Sequence, residues 1–244
     1  MRAVITAGGR IDGAFARAVG TRVKALALVH GKTMLARMIE ALRMAGVDEI
    51  AVVGGDEVRQ ACAHAVDRIV DESPSGSENL LRALRAWPDR ERLIYATSDL
   101  PYVTSAAIGD FLNRVGHGTL AVALAEFAAF EARFPGAPSS FGITLSGERV
   151  VNGGVFSIPQ GATEKLAAMA TRFFEARKRP WRMASLVGPG VLFRFISGRL
   201  RVSDLEAMAL HVLQVPAQAL RGCAPELAYD VDLLAEYEYA CAHA

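Results

Sequence analysis

The feature that most constrains the fold is the N-terminal unit that ends at Gly46. Residues 3–6 form a short apolar run with β-branched members, which is typical of a buried strand. Gly8 and Gly9 follow, and without side chains they permit a sharp turn that brings bare backbone N–H groups close to a ligand. From Thr33, apolar residues recur on one face of a predicted helix, which Thr33 caps and Gly46 ends. The unit is a strand, a glycine turn, a basic loop and a helix.

A glycine turn of this kind suits an anion, typically a phosphate. Four basic residues follow it, namely Arg10, Arg17, Arg22 and Lys24. Two common phosphate-binding motifs are nevertheless excluded. The dinucleotide fingerprint G-x-G-x-x-G fails because position 10 is arginine. The P-loop G-x-x-x-x-G-K-[ST] fails at Leu26, although Gly-Lys-Thr at 31–33 matches its end.

Further along the chain, strand-like apolar runs alternate with helix-like segments. The runs cover residues 49–53, 68–70, 93–97 and 119–125. Alternation over these lengths indicates βαβ units and a parallel sheet. Ligands of such sheets bind at the carboxyl ends of the strands, which is where the glycine turn is expected.

The motifs of the N-terminal unit resemble a known signature. Ala-Gly-Gly at 7–9, Lys24 and Gly-Lys-Thr-Met-Leu at 31–35 look like the signature of the nucleotidyltransferase superfamily with the glycosyltransferase-A type fold. The chain is similar to the MobA-like group, that of molybdenum cofactor guanylyltransferase. Ala25 and Thr33 stand where that signature has prolines, and the loop before Lys24 is longer. The resemblance implies an α/β protein with a three-layer α/β/α, Rossmann-like fold and a mixed, mainly parallel central sheet.

The length and charge of the chain agree with this fold. At 244 residues it is long enough for one large α/β domain. We predict a single domain over 1–244, with a nucleotide-binding half at 1–126 and an acceptor-binding half at 127–244. Its 27 lysines and arginines nearly balance 26 acidic residues, and no basic block argues for a nucleic-acid partner. No apolar run approaches the ~18 residues of a membrane span, so we expect no membrane partner.

The cysteines and the N-terminus favour a reducing compartment. Cys62, Cys223 and Cys241 lie far apart and lack C-x-x-C spacing, which indicates neither a zinc site nor a disulfide framework. The first strand begins without a charged-then-apolar leader. We therefore expect a cytoplasmic protein.

The resemblance implies a nucleotide site around the glycine turn. It assigns nucleotide contacts to the turn, to a Ser/Gly/Asn-bearing loop at 71–79 and to the end of the 93–97 strand. The residues are Ala7, Gly8, Gly9, Ser77, Asn79 and Ser98. The alternative for the loop is an ordinary turn in which Ser77 caps a helix that begins at residue 80.

Asp99 follows a predicted core strand and precedes Leu-Pro. A carboxylate at this place is costly unless it meets a cation or N–H donors. In the resembling family an Asp-x-Pro aspartate binds the catalytic Mg²⁺ (or Mn²⁺). The alternative is a helix cap or an Asx-turn, although Ser105 is the better cap for the helix predicted at 106–115.

Near the C-terminus, Asp230 and Asp232 are two residues apart, and on a strand they would share a face. The segment resembles the family's closing motif, Asp-Val-(Asp or Asn)-Thr-Pro-Glu-Asp, with Leu-Leu in place of Thr-Pro. The resemblance implies that Asp232 is a second metal ligand, with Asp230 as the fallback. The alternative is a surface Asp-x-Asp turn before the final helix, which is predicted to open at 236–240.

The acceptor-binding half contains one motif with two interpretations. Asn152, Gly153 and Gly154 are either a turn, since Asn-Gly is a common turn pair, or the family's segment that lines the acceptor pocket. Strands are predicted on both sides of a turn at 146–147. Beyond the motif, the pattern predicts helices at 163–178 and 203–213 and a short strand at 191–196, a section that we expect to cap the acceptor side.

Together these residues predict a Mg²⁺-dependent enzyme that transfers a nucleotidyl group from a nucleoside triphosphate to a small acceptor and releases pyrophosphate. Lys24 is the leading catalytic cation, and Arg22 and Arg17 would assist it. The base and the acceptor stay open. One rival is a sugar transferase of the same fold. Such an enzyme would bind a nucleotide sugar through an Asp-x-Asp in the middle of the chain, where this sequence has the lone aspartate Asp99. The other rival is a nucleotide-binding module without catalysis.

Overall fold

The computed structural model describes residues 1–89, 91–138, 142–176 and 188–243. Its strands are β1 (Arg2–Thr6), β2 (Leu28–Val29), β3 (Lys32–Thr33), β4 (Glu49–Gly54), β5 (Arg68–Asp71), β6 (Arg92–Thr97), β7 (Leu120–Glu126), β8 (Ile143–Leu145), β9 (Glu148–Pro159) and β10 (Ala217–Leu220). Its helices are α1 (Gly13–Val19), α2 (Met34–Met44), α3 (Asp56–Cys62), α4 (Gly76–Leu84), α5 (Ser105–Arg114), α6 (Phe127–Arg133), α7 (Thr163–Ala176), α8 (Pro189–Ile196), α9 (Val202–Leu213) and α10 (Leu234–Ala242). Short 3₁₀ helices occupy Lys24–Leu26, Gln160–Ala162 and Pro225–Leu227.

One central sheet runs through both halves of the chain. Its order is β10-β7-β9-β6-β1-β4-β5, and β8 pairs with β9 beside this path. β1 pairs in parallel with β4 and β6, while β9 is antiparallel to both β6 and β7. Every strand of the path except β9 therefore points the same way. The carboxyl ends of β1, β4, β5, β6, β7 and β10 lie at one rim, where ligands of such sheets bind.

Helices cover both faces of the sheet because successive strand residues point to opposite sides. Ile5 of β1 packs in a buried cluster with residues of α2 and α5, including Met38 and Phe111. Its neighbour Val4 packs in a second cluster with Leu84 of α4 and the α7 helix. The predicted three-layer α/β/α fold with a mixed, mainly parallel sheet is confirmed.

The strand and the capped helix of the N-terminal unit form as predicted, but the predicted basic loop between them also contains helix α1 and the β2–β3 hairpin. The Oγ1 atom of Thr33 accepts the Ala36 amide at 3.1 Å, which caps α2. At the other end Gly46 has a φ of +85°, and its amide donates to the Arg43 carbonyl at 3.0 Å. A left-handed residue of this kind ends a helix at low cost only when it is glycine. The glycine turn, the capped helix and the strand before them are therefore local consequences of the sequence.

Two predicted helix caps are wrong by a short distance. Helix α4 begins at Gly76, and its cap is Ser75, whose hydroxyl accepts the Glu78 amide at 3.4 Å. Ser77 lies inside the first turn. Helix α5 begins at Ser105 itself, because Thr104 supplies the capping oxygen, which accepts from Ala107 at 3.1 Å. Runs of serine and threonine offer several equivalent caps, and packing of the helix chooses between them.

The predicted strand at 191–196 is also wrong, because this run belongs to helix α8. A short apolar run does not distinguish a strand from a helix by periodicity. Here Gly188 and Pro189 start a helix, since proline is pre-organised for a first helical turn. The predicted helix at 163–178 is confirmed as far as Ala176, and its last two residues lie outside the described residues.

The predicted turn at Asn152 is wrong, because Asn152, Gly153 and Gly154 lie inside the long strand β9. A Cβ atom on Gly153 would stand 2.9 Å from Ala123 Cβ and 3.0 Å from the Leu227 carbonyl oxygen. Glycine is needed here because neighbouring backbone comes so close to the strand.

No helix among the described residues is long and apolar enough to cross a bilayer.

Two methionines of α2 test this packing. Met38 is fully buried, whereas Met44 on the same helix is 70% exposed. We expect Met38→Ala to lower the free energy of unfolding by about 2–5 kcal/mol, since it removes core contacts and leaves a cavity. Met44→Ala should change it by less than about 0.5 kcal/mol. Urea denaturation of both variants gives the comparison, and equal losses would contradict the described core.

Candidate active site at the carboxyl rim of the sheet

The glycine turn after β1 presents free backbone donors at the rim. The Ala7 amide still donates to the Val53 carbonyl at 2.8 Å, as the last bond of the sheet on this side. No described residue accepts a hydrogen bond from the amides of Gly8 and Gly9. Unpaired amides that are open to a ligand form a concave anion site. The amides of Gly8 and Gly9 are therefore available as donors at the rim, and the role of the turn as an anion site stays a prediction.

Lys24 lies against this turn because the basic loop folds back on itself. The loop is closed by the Ile11 amide, which donates to Arg22 at 3.0 Å, and by the Lys24 amide, which donates to Gly9 at 2.9 Å. A Cβ atom on Gly9 would be 3.4 Å from Lys24 Cε, so the aliphatic stem of the lysine runs directly over this glycine.

The Lys24 ammonium contacts two carboxylates from distant parts of the chain. Its Nζ atom lies 2.6 Å from Asp99 Oδ2 and 2.5 Å from Asp232 Oδ1. The lysine side chain is only 14% exposed. Burial by itself lowers the pKa of Lys24, but attraction to Asp99 and the hydrogen bonds to both carboxylates outweigh it, so its pKa lies above the usual range. The ammonium therefore stays charged at neutral pH.

Asp99 is held at the end of β6. Its carbonyl oxygen accepts the Val231 amide at 3.1 Å, which ties the β6 rim to the C-terminal segment. Its side chain is 15% exposed, and the Oδ1 atom is buried with no hydrogen-bond partner among the described residues. Such an orphaned buried oxygen calls for an explanation by an ion or a water.

The two C-terminal aspartates lie in an irregular segment before α10 and not on a strand, so the predicted shared strand face is wrong. Asp232 points to Lys24 and is 66% exposed. Asp230 is open to solvent in part, yet protein crowds its carboxylate. Burial, followed by the charges of Asp99 and Asp232, raises the pKa of Asp230 to about 6.

Glu236 fixes the position of Asp232, a role that the sequence reasoning missed. One oxygen of this buried carboxylate accepts the Asp232 amide at 2.5 Å and the Leu233 amide at 2.7 Å. Glu236 is the third residue of α10, so the contact is the acidic half of a capping box. Glu236 lies three residues after the cap residue Leu233, which is the spacing of a capping box. The motif is hard to recognise in the sequence because its first position is leucine and not serine or threonine.

An aromatic cluster anchors the same segment. Tyr229 is 1% exposed, packs against Phe130, Phe134 and Tyr102, and donates its hydroxyl to the Glu236 carbonyl at 3.0 Å. Phe130 and Phe134 therefore belong to the core. Aromatic pairs of this kind add to the free energy of burial.

The residues predicted to contact the nucleotide lie along the rim on both sides of the β1 turn, with Ser98 after β6 and the 71–79 loop after β5. Asn79 accepts the Ser73 amide at 2.6 Å and donates to the Ser73 carbonyl at 2.9 Å, which closes the loop beside Gly8. Ser77 shares a hydrogen bond with Ser75 at 2.9 Å, and Ser98 is buried beside Asp99. Their predicted roles as nucleotide ligands stay predictions.

Arg17 and Arg22 are not part of the ion-pair cluster of Lys24 among the described residues, and their assisting roles stay predictions. Both side chains are exposed and form no ion pair with the described residues. Arg10, which the sequence reasoning did not select, pairs with Glu72 at the end of β5 and approaches Glu57 at 3.8 Å. Because both Gly8 and Gly55 face Glu72, this pair borders the glycine turn.

Glu236 provides a test of how the aspartate is positioned. We expect Glu236→Ala to lower the free energy of unfolding by about 1–3 kcal/mol, because two largely enclosed amides lose their acceptor. Glu238→Ala, an exposed glutamate on the same helix, is the matched control and should change it by less than about 0.5 kcal/mol. Urea titrations decide, and a neutral Glu236→Ala would refute the capping role.

The raised pKa of Asp230 predicts a pH-dependent gain from its removal. A carboxyl group that resists ionisation in the folded state costs stability above its folded pKa, and costs nothing below its unfolded pKa of about 4. Asp230→Asn should therefore raise the melting temperature above about pH 6, and the gain should vanish as the pH falls toward 4. Thermal melts in metal-free buffer across this range measure it. A gain that does not change with pH would contradict the assignment.

Comparison with known proteins places this geometry in a family. The sequence profile of the MobA-like NTP transferase domain matches residues 3–179. No curated protein sequence matches the chain at a significant level. The matched region contains the glycine turn, Lys24 and Asp99, while the C-terminal carboxylates lie beyond it.

Solved structures agree with the profile. A hypothetical transferase from Thermus thermophilus is 30% identical, with a TM-score of 0.83 and 98% of each chain covered. CTP:phosphocholine cytidylyltransferase from Streptococcus pneumoniae is 14% identical, with a TM-score of 0.57 over 99% of this chain and 97% of the other. A protein of Mycobacterium tuberculosis H37Rv in complex with manganese is 17% identical, with a TM-score of 0.54 over 99% and 97%. The chain therefore belongs to the MobA-like NTP transferase family and is a nucleotidyltransferase.

Proposed function

We propose that this nucleotidyltransferase uses Mg²⁺ or Mn²⁺ to transfer a nucleoside monophosphate from a triphosphate to a small phosphorylated or hydroxyl acceptor, with release of pyrophosphate. One observation carries the proposal: Lys24, Asp99 and Asp232, which are remote in sequence, meet beside the free amides of the glycine turn. A cation, two carboxylates and an anion cradle are the parts that such a transfer requires.

Each part has a role in the transfer. The amides of Gly8 and Gly9 and the ammonium of Lys24 oppose the negative charge that builds up around the α-phosphorus. An acceptor oxygen attacks this phosphorus, the bond to the bridging oxygen breaks, and pyrophosphate leaves. Displacement of this kind depends on positioning and on stabilisation of charge, and these residues supply both. Arg10 replaces Arg17 and Arg22 as the second basic residue near the turn.

The carboxylates fit a metal that is shared with the substrate. Among the described residues no three His, Cys, Asp or Glu side chains are grouped as a complete metal cage. Mg²⁺ does not need one, because it is usually bound by one or two carboxylates, water and phosphate oxygens. Asp99, with its unpartnered Oδ1 atom, and Asp232 or Asp230 would hold it. The metal would neutralise phosphate charge there.

The acceptor would approach along β9. At Gly154 of β9, an added Cβ atom would collide with the hydroxyl of Thr97, two residues before Asp99. The first residues of β9 border a cleft of about 340 Å³ at the same rim. Glu126, Arg149 and Arg221 line this cleft. We propose that Asn152, Gly153 and Gly154 form the path between the cleft and the phosphates, so that residues 127–244 bind the acceptor and residues 1–126 the nucleotide.

The decisive experiment first identifies the nucleotide by thermal-shift screening of GTP, CTP, ATP and UTP with Mg²⁺. Pyrophosphate release is then screened with sugar phosphates, alcohol phosphates, a pterin cofactor and a cobinamide as acceptors. Pyrophosphate as the product supports the proposal. Release of a free nucleoside diphosphate from a nucleotide sugar would favour a sugar transferase, and binding without turnover would favour a non-catalytic module.

With the active pair identified, we expect Lys24→Ala and Asp99→Ala each to lower kcat by about 100-fold to 1,000-fold, since each removes charge stabilisation from the transition state. Lys32→Ala is the matched control, because Lys32 pairs with Glu40 on the surface. We expect this variant to leave turnover unchanged. Circular dichroism confirms the fold of each variant. Turnover that survives both site substitutions would refute the assignment.

A further inference from the structure

In the free protein, the catalytic lysine occupies the place that a metal ion would need. Its ammonium lies 2.6 Å from Asp99 and 2.5 Å from Asp232, which are two of the three carboxylates available there. A cation that bound the same oxygens would lie within a few ångströms of the ammonium. Like charges at this separation repel strongly, and the low exposure of Lys24 and Asp99, 14% and 15%, limits screening by solvent.

The charges of the free site already balance in part. Two carboxylates meet one lysine ammonium, which lies within hydrogen-bond distance of both. The ammonium needs another anionic partner before these carboxylates can bind a metal.

The neighbouring turn offers a place for that partner. The stem of Lys24 runs over Gly9, whose amide, like that of Gly8, has no acceptor among the described residues. A polyphosphate bound by these amides would bring oxygens to the ammonium, which could reach them by rotation of its own side chain. Asp232, 66% exposed, forms the open side of the cluster.

We propose that Lys24 keeps the metal site closed in the free protein, and that a divalent cation enters only with the triphosphate that draws the ammonium away. This proposal rests on the proposed function of the site. It gives Lys24 a second role, in which it sets the order of binding as well as stabilising the reaction. The metal then arrives as part of a complex with the nucleotide.

Binding of Mn²⁺ to the protein, measured by equilibrium dialysis with protein on one side only, tests the order without any turnover. Mn²⁺ held by tripolyphosphate in solution is present on both sides and cancels. For the wild-type protein we expect weak binding of Mn²⁺ alone and tight binding when inorganic tripolyphosphate is added. Lys24→Met keeps the length of the side chain and removes its charge. We expect it to bind Mn²⁺ alone about 100-fold or more tightly than the wild type does. Lys32→Met, the same change at a surface lysine, should behave as the wild type.

The design separates this inference from the proposed function. If wild-type protein binds Mn²⁺ alone as tightly as Lys24→Met does, the inference is overturned, even if pyrophosphate release is observed. A folded Lys24→Met variant, verified by circular dichroism, that gains no affinity also overturns it. The gain should disappear in the double variant Lys24→Met, Asp99→Asn, which loses a carboxylate ligand. If the gain appears but no triphosphate is turned over, the closed site stands and the proposed function fails.

The wild-type protein gives a second, independent measurement. Mn²⁺ alone should leave its melting temperature unchanged, whereas Mn²⁺ with tripolyphosphate should raise it, because only a ligand that binds the folded state stabilises it. A rise with Mn²⁺ alone, equal to that with both, would overturn the proposal without recourse to any variant.

Discussion

The ion pairs of Lys24 are the interaction on which the site depends. They join three chain segments, since Asp99 is separated from Lys24 by about a third of the sequence and Asp232 by most of it. Solvent is largely excluded around Lys24 and Asp99. Removing charges from water is costly, and only close, hydrogen-bonded partners repay it. A cluster of this kind is therefore weak as a source of stability. It is better understood as a functional arrangement that the rest of the fold must hold in place.

The sheet topology explains how the segments meet. β1 and β6 are parallel neighbours, so the glycine turn and Asp99 emerge side by side at one rim. The C-terminal segment reaches them through a backbone hydrogen bond from Val231 to Asp99 and is held by the Tyr229 aromatic cluster. The antiparallel strand β9 lies between β6 and β7, and its two glycines allow the close approach of neighbouring chain. The N-terminal and C-terminal halves of the chain thus share one sheet and one rim.

Three aspartates bring negative charge together at the rim. Burial, followed by repulsion from Asp99 and Asp232, raises the pKa of Asp230. Lys24 offsets part of this charge, and Glu236 holds Asp232 in its place through two backbone amides. These charges complement a polyphosphate and a divalent cation, which are the ligands that we propose for the site.

The sequence by itself determined the features that have a local cause. The glycine turn, the capped and terminated helix α2, the alternation of strands and helices, and the carboxylate before a proline follow from neighbouring residues and from periodicity. Tertiary structure decided which charges meet. It brought Lys24 to Asp99 and Asp232 and Arg10 to Glu72, because the loop folds back over Gly9. It placed Asn152 within a strand, because β9 pairs with β7 there, and it resolved the ambiguous 191–196 run as a helix that Gly188 and Pro189 start. Contacts between residues that are 75 and 208 positions apart depend on strand order, and no local pattern encodes that order.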